Sequence, residues 1–304
     1  MPEKEDVCVL LPTLNEEEVI ADVISGFKDQ GFDNIFVIDG HSSDNTREIA
    51  KDLGATVTTQ SGTGKGQAVR EAIRKIDADI ILMADGDGTY LPNDADKLLD
   101  PILNGDSQHV IGNRFANLQE GAMSSLHKFG NRIINRAFSR IHGRDFRDIL
   151  SGYRAFTRES VEKMYLTAKG FGLETEMSVE CVKQNIPTQV VPITYRSRPQ
   201  GSESNLRSIR DGWTIFLTLY RLAKTNNPLF YFGSIGAIFS FIGLLLGIYV
   251  GIEWVTRGVS HEVIAVVSAF SILAGMQLLM LAILSDLIVT LHREEIHRLE
   301  HRFR

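Results

Sequence analysis

The sequence is poor in cysteine and tryptophan, with two of each, and it carries no excess of positive charge. Cys8 and Cys181 stand far apart in apolar surroundings and do not form a metal-type pair. A disulfide framework and a zinc site are therefore not expected, and a reducing compartment is. Lys and Arg number 32 against 38 Asp and Glu, a net charge of −6, which argues against a nucleic-acid-binding surface. Internal repeats and low-complexity tracts are lacking, which argues against a solenoid or a disordered linker. The opening residues Pro2–Asp6 are charged and short, so no secretory signal peptide is expected. A complete P-loop is also missing. Gly62-Thr63-Gly64-Lys65-Gly66 looks like its end, but Gly66 stands where Ser or Thr is required and the first glycine is absent. That stretch is either a flexible turn or a turn that lets backbone and Lys65 approach a nucleotide.

What the sequence does have is a sharp division in hydropathy. Residues 1–205 read as a soluble α/β domain. Leu229–Ile252 is an uncharged apolar run of about 24 residues and Val263–Ser285 another of about 23, each long enough to cross a bilayer. Arg221 and Lys224 flank the first run; Arg293, Arg298, Arg302 and Arg304 follow the second. The connecting loop offers only Arg257. By charge asymmetry, the soluble domain and the C-terminus are expected on the cytoplasmic side of a cell membrane. The alternative is a pair of buried core helices. Gly243, Gly247 and Gly251 share one face of the first run, suited to close packing on the second run, near Gly275 and Ser271, or on another subunit in a homo-oligomer.

Within the soluble part, apolar runs alternate with helical patterns. Val7–Leu11 and Ile35–Ile38 read as strands. Pro12–Glu17 is expected to stop the first strand and open a helix, with Thr13 or Asn15 as N-cap. The short spacing implies parallel strands joined by right-handed crossovers. Ile80-Ile81-Leu82 is a buried strand that ends in Met83-Ala84-Asp85-Gly86-Asp87-Gly88-Thr89-Tyr90. Asp85 and Asp87 can face one volume at a strand's carboxyl end, where open α/β sheets bind ligands. Two hard oxygen donors there suit Mg²⁺ or Mn²⁺ with a diphosphate; a polar turn is the plain alternative. Ser124–Ile141, with Phe129, Ile133, Ile134 and Phe138 opposite Lys128, Arg132, Arg136 and Arg140, reads as an interfacial helix or a core helix. Leu206–Lys224 has the same character, so residues 206–227 are expected to form an interfacial segment ahead of a 228–304 hairpin and tail.

Taken in order, Pro12-Thr13-Leu14-Asn15-Glu16, Asp39 with Ser42-Ser43-Asp44, Gly64-Lys65-Gly66 and Asp85-x-Asp87 resemble family 2 glycosyltransferases. Val110–Phe115 resembles that family's strand ending in Gly-Ser-Arg, and Arg147–Arg154 its Asp-x-x-Ser/Thr-Gly-Phe-Arg segment. Val191–Arg198 resembles a segment of dolichol-phosphate mannose synthases. Within the family the chain is similar to archaeal polyprenyl-phosphate (dolichyl-phosphate) glycosyltransferases of protein N-glycosylation.

The resemblance implies a GT-A fold, a Rossmann-like α/β domain with a mostly parallel sheet. It implies transfer of a sugar from a UDP- or GDP-linked donor to dolichyl phosphate. Asp85 and Asp87 would hold the divalent ion. Pro12, Leu14, Glu16, Asp39, Lys65, Asp85, Gly86 and Asp87 would line the nucleotide-sugar site. Arg114, Arg198 and Arg207 would meet the acceptor phosphate. Asp87, Arg114 and Asp148 would be the catalytic set, with Asp148 positioning more than acting as base; its plain alternative is an N-cap or an ion pair with Arg144 or Arg147. Two departures stand out: Thr89 replaces the glutamine of mannose synthases, and Asn205 replaces their phosphate-contacting lysine. A polysaccharide synthase is the alternative enzyme, but its Gln-x-x-Arg-Trp motif and additional spans are absent. A non-catalytic nucleotide-sugar-binding membrane protein is the alternative outside enzymes.

Overall fold

A computed structural model of the chain describes residues 4–168, 170, 172–198 and 228–302. The Leu206–Lys224 segment, Asn205 and Arg207 lie outside the described residues. The chain divides into two compact units, Met1–Leu219 and Tyr220–Arg304.

The first unit is built on seven strands: β1 Val7–Thr13, β2 Ile35–Asp39, β3 Thr56–Thr59, β4 Ile80–Met83, β5 His109–Leu118, β6 Arg154–Thr157 and β7 Thr188–Tyr195. They form one sheet in the order β3-β2-β1-β4-β6-β5-β7. All pairings are parallel except those of β6, which runs antiparallel to both β4 and β5. The helices are α1 Ile20–Asp29, α2 Thr46–Asp52, α3 Lys65–Lys75, α4 Ala95–Leu103, α5 Ser125–His142, α6 Arg158–Glu162 and α7 Leu173–Lys183. Strands β2 and β4 are buried along their whole length, which is why they read as unbroken apolar runs: helices cover both faces of such a sheet. Helix α1 buries Ile20, Val23, Ile24 and Phe27, the 3.6-residue stripe, in the same core as Val9, Leu11, Leu82 and Leu98. Cys8 and Cys181 are buried free thiols.

One expected boundary moves. Strand β1 does not stop at Leu11 but continues through Pro12 to Thr13, in register with Ile38 and Asp39 of β2. Proline lacks only a donor. Its carbonyl still accepts from the Gly86 N–H at 3.3 Å on the β4 side, and the Thr13 carbonyl accepts from the Gly40 N–H at 2.8 Å on the β2 side, so the pairing extends to the strand's end. The following residues turn rather than form a helix, Asn15 adopts φ 57°, and α1 begins at Ile20 with no side-chain cap.

The second unit is a hairpin of α8 Pro228–Arg257 and α9 Glu262–Arg302. Both are long and apolar enough to cross a membrane, and only 11 % of each apolar window is buried, unlike the buried-core alternative. Small residues set the crossing. A side chain on Gly275 would run into Ser240 and, at 2.6 Å, the Gly236 carbonyl. One on Gly243 would lie 2.8 Å from the Ser268 carbonyl, and one on Gly247 2.9 Å from Ser268 Oγ. Ser268 Oγ donates to the Gly243 carbonyl at 2.7 Å. The Gly243–Gly247 face thus packs on the partner helix of its own hairpin, whereas a side chain on Gly251 would meet nothing within 4 Å. Backbone approach of this kind holds spans together where lipid offers no hydrophobic drive.

Candidate active site

The sheet order reverses between β1 and β4, and such a switch point opens a crevice at the strands' carboxyl ends. The loop after β1 carries Leu14 and Glu16 to this edge, the last residue of β2 is Asp39, and the loop after β4 carries Asp85–Asp87. Gly86 is required there: a Cβ would sit 2.5 Å from the Thr13 methyl. Gly88, at φ 70°, completes the turn. Among the described residues, three of the four non-glycine residues with positive φ, Asn15, His41 and Arg147, lie in loops that carry candidate site residues. Such conformations persist where surrounding contacts enforce them.

Two cation–carboxylate groups occupy the Asp85–Asp87 turn. Lys65 Nζ, at the start of α3, lies 2.5 Å from Asp85 Oδ1 and 2.6 Å from Glu174 Oε1 of α7. Arg198 Nη2 lies 2.6 Å from Asp87 Oδ2, and its Nη1 lies 3.8 Å from Glu16 Oε1. Burial alone would lower the Lys65 pKa, but Asp85 and Glu174 outweigh it and hold the ammonium above its usual range. Asp87 Oδ1 accepts from Thr89 N–H at 3.1 Å and from Thr89 Oγ1 at 2.6 Å. The threonine hydroxyl therefore serves the carboxylate as a donor. Two carboxylates on one turn, each drawing a cation, are a hard oxygen donor set that fits Mg²⁺ or Mn²⁺. Gly152 abuts Asp85 so closely that a Cβ would fall 2.9 Å from Oδ2, and its N–H donates to Tyr90 Oη at 2.9 Å.

At the ends of β1–β3 the buried polar atoms are under-used. Asp39 Oδ2 accepts from His41 and Ser42 N–H groups at 3.0 Å. Asp39 Oδ1, Thr13 Oγ1 and Gln60 Oε1 are buried with no hydrogen-bond partner among the described residues. Orphaned buried acceptors are rare and costly; a polar ligand's N–H and O–H groups would satisfy them. Leu14, 37 % exposed, borders this edge.

Arg114 and Asp148 form a separate pair. Asp148 is fully buried and accepts three bonds from Arg114, from Nε and Nη2 at 2.8 Å and from the backbone N–H at 3.0 Å. Its partner is thus neither Arg144 nor Arg147. Burial alone would lower the Arg114 pKa, and Asp148 reverses that and raises it. The guanidinium lies over the Tyr195 ring, 5.4 Å to the centroid, and Tyr195 contacts Tyr90 edge-on. Through Tyr90 and Gly152 this pair connects to Asp85.

Sequence reasoning missed Glu174 and the task of Arg154. Glu174 is buried at the first turn of α7; only the rarity of a buried carboxylate in an otherwise buried helix could have signalled it. Arg154 is fully buried and donates to the Ser151 carbonyl at 2.8 Å, the Ile149 carbonyl at 2.7 Å and Ser178 Oγ at 3.0 Å. It fixes the segment that carries Asp148 and Gly152.

A model of glycosyl transferase family 2 matches residues 8–165. The chain is 62 % identical to the glycosyltransferase AglJ of Haloferax volcanii over 99 % of each chain. It is 31 % identical to a dolichol-phosphate mannosyltransferase of Pyrococcus furiosus, over 86 % of this chain and 76 % of that protein. Its similarity to a dolichyl-phosphate hexose transferase of Haloferax volcanii is 32 %, over 64 % and 84 %. Among solved structures, glucosyl-3-phosphoglycerate synthase of Mycobacterium tuberculosis with Mn²⁺ and UDP-glucose superposes with a TM-score of 0.59 at 22 % identity, over 72 % of this chain and 79 % of that one. That likeness gives the fold, GT-A, with the seven-stranded sheet as its centre. Matched across more than half its length and nearly end to end with a named glycosyltransferase, the chain belongs to glycosyl transferase family 2.

Proposed function

We propose that the chain transfers a sugar from a nucleotide sugar to dolichyl (polyprenyl) phosphate at the cytoplasmic face of a membrane. The observation that carries this reading is the presence, in one family 2 chain, of paired carboxylates at the switch point and two largely unburied apolar helices. Two of the relatives above are named for dolichyl or dolichol phosphate.

In this reading Asp85 and Asp87 would hold Mg²⁺ or Mn²⁺, which when bound would neutralise charge on the diphosphate. Asp39, with one carboxylate oxygen unpartnered, takes an N–H or O–H of the nucleoside; Pro12, Leu14, Glu16 and Gly86 shape the same crevice. Lys65 reaches the diphosphate. Arg114, Arg198 and Arg207 receive the lipid phosphate. One of its oxygens forms a bond to the anomeric carbon, the bond from that carbon to the diphosphate breaks, and the nucleoside diphosphate departs with inversion. The lipid phosphate is already ionised at neutral pH, so no strong base is needed. Asp148 spends both oxygens on Arg114 and acts as its positioning partner.

Helix α5 supplies a membrane-facing surface. It exposes Phe129 and Ile133, 59 % and 44 % exposed, beside Arg132, Arg136 and Arg140, and contains no acidic residue. Apolar side chains ringed by arginine suit an anionic interface. The test is to incubate membranes containing the protein with a panel of labelled nucleotide sugars, with and without dolichyl phosphate. Label entering the lipid phase only with dolichyl phosphate supports the reading, and no dependence on that lipid refutes it. Asp87→Ala should lower that incorporation by about two to three orders of magnitude; full activity in EDTA would remove the metal from the reading.

A further inference from the structure

We propose that Glu174 is a positioning residue that couples divalent-ion binding to nucleotide binding through Lys65. This rests on the reading of Asp85 and Asp87 as the ion's ligands. Both aspartates are already matched by a cation of the chain itself: Lys65 Nζ at 2.5 Å from Asp85 Oδ1, Arg198 Nη2 at 2.6 Å from Asp87 Oδ2. A divalent ion arriving alone must enter against that ammonium and guanidinium, at short range and partly shielded from water, where like charges repel strongly. A diphosphate arriving with it brings the negative charge that lets all these cations stay.

Glu174 makes the exchange workable. Its Oε1 is 2.6 Å from Lys65 Nζ, and the carboxylate is buried. When Asp85 turns to the ion, the ammonium keeps this second partner and needs only a small swing to meet phosphate. The surroundings hold Lys65 in place for that swing. Residues 165–168 and Gly170 lie across the start of α3. The Ala168 and Gly170 carbonyls come so close to Gly66 that no side chain fits there, and Arg70 donates to the Leu166 carbonyl at 3.1 Å. Glu176, two residues further along α7, fixes the same stretch by accepting from Thr167 and Ala168 N–H groups at 2.8 Å. The lysine is therefore confined between two carboxylates at the edge of the donor crevice, and α7 sets which of them it can fall back on.

The two residues then act in opposite directions on metal binding. Removing the ammonium leaves Asp85 with no cation to displace; removing the Glu174 charge leaves Lys65 with Asp85 as its one carboxylate. The test is an electron paramagnetic resonance titration of Mn²⁺ on the full-length protein in detergent, without nucleotide and with UDP or GDP. In the wild type, nucleotide should tighten Mn²⁺ binding by about tenfold or more. Lys65→Met should bind Mn²⁺ alone about tenfold more tightly than wild type and lose most of the nucleotide effect. Glu174→Gln should bind Mn²⁺ alone more weakly and show a larger nucleotide effect. Thermal unfolding establishes that each variant is folded, with Lys65→Gln as the substitute if the methionine variant is not. Lys65→Met that is no tighter than wild type, or both variants weakening together, overturns the coupling while leaving Asp85 and Asp87 as ligands. Wild-type protein that binds no Mn²⁺ under either condition overturns the metal reading itself.

Discussion

Asp148→Ala separates a positioning role from a base. Asp148 is fully buried and takes three hydrogen bonds from one arginine, two of them from the guanidinium at 2.8 Å. Truncating it leaves the Arg114 charge in a site that is only 9 % exposed. Breaking one side of a buried ion pair costs about 3–5 kcal/mol, mostly from the uncompensated charge. A unit of this size loses about 2–4 °C per kcal/mol, so the midpoint of its unfolding should fall by roughly 6–20 °C. Asp148→Asn keeps the shape and should lose less. The assay is thermal unfolding of both variants in detergent, alongside transfer kinetics with the lipid acceptor varied. A positioning residue gives a raised KM for the lipid phosphate together with lost stability. Combining Asp148→Ala with Arg114→Met should cost less than the two single losses added, because the orphaned charge has gone. An Asp148→Asn variant of normal stability and normal KM whose kcat falls a thousandfold would refute this and make Asp148 the base.

Gly152→Ala places a methyl 2.9 Å from Asp85 Oδ2; it should weaken Mn²⁺ and nucleotide binding with little change in the unfolding midpoint, read by the same titrations. In the hairpin, Gly275→Leu should separate α8 from α9, because even a methyl collides with Ser240 and the Gly236 carbonyl. Lower thermal stability of the second unit, or a loss of protection in its helices by hydrogen exchange, is the expected reading. Gly251→Leu, at a position with open space around it, should leave that stability unchanged.

The strands were legible because a sheet covered on both faces has to be written as apolar runs: Ile35–Ile38 and Ile80–Leu82 could not have been surface segments. The Asp85–Asp87 turn and the two long apolar helices were legible for the same kind of reason, since each is a local pattern. Pro12 did not end the strand because proline's missing donor says nothing of the carbonyls, and those of Pro12 and Thr13 bond to Gly86 and Gly40 on either side of β1. Antiparallel β6 was invisible, since the alternation of strand and helix around it fits a parallel sheet equally well. The pairings Lys65–Glu174 and Arg114–Asp148 join residues far apart in the chain. Spacing carries no information about such contacts; only the folded sheet brings them together. The segment holding Arg207 and Asn205 lies outside the described residues, so its expected acceptor role stands on resemblance to the family.

A lipid phosphate is the proposed acceptor. The sharpest test of this offers the purified protein a labelled nucleotide sugar with dolichyl phosphate and 3-phosphoglycerate in equal amounts, and identifies the products by mass spectrometry. The second acceptor gives the product named for the M. tuberculosis structure that shares this fold. The predicted result is one product, the sugar joined to dolichyl phosphate through a phosphodiester, with one nucleoside diphosphate released per sugar. Sugar appearing on 3-phosphoglycerate, with none on the lipid, would contradict it.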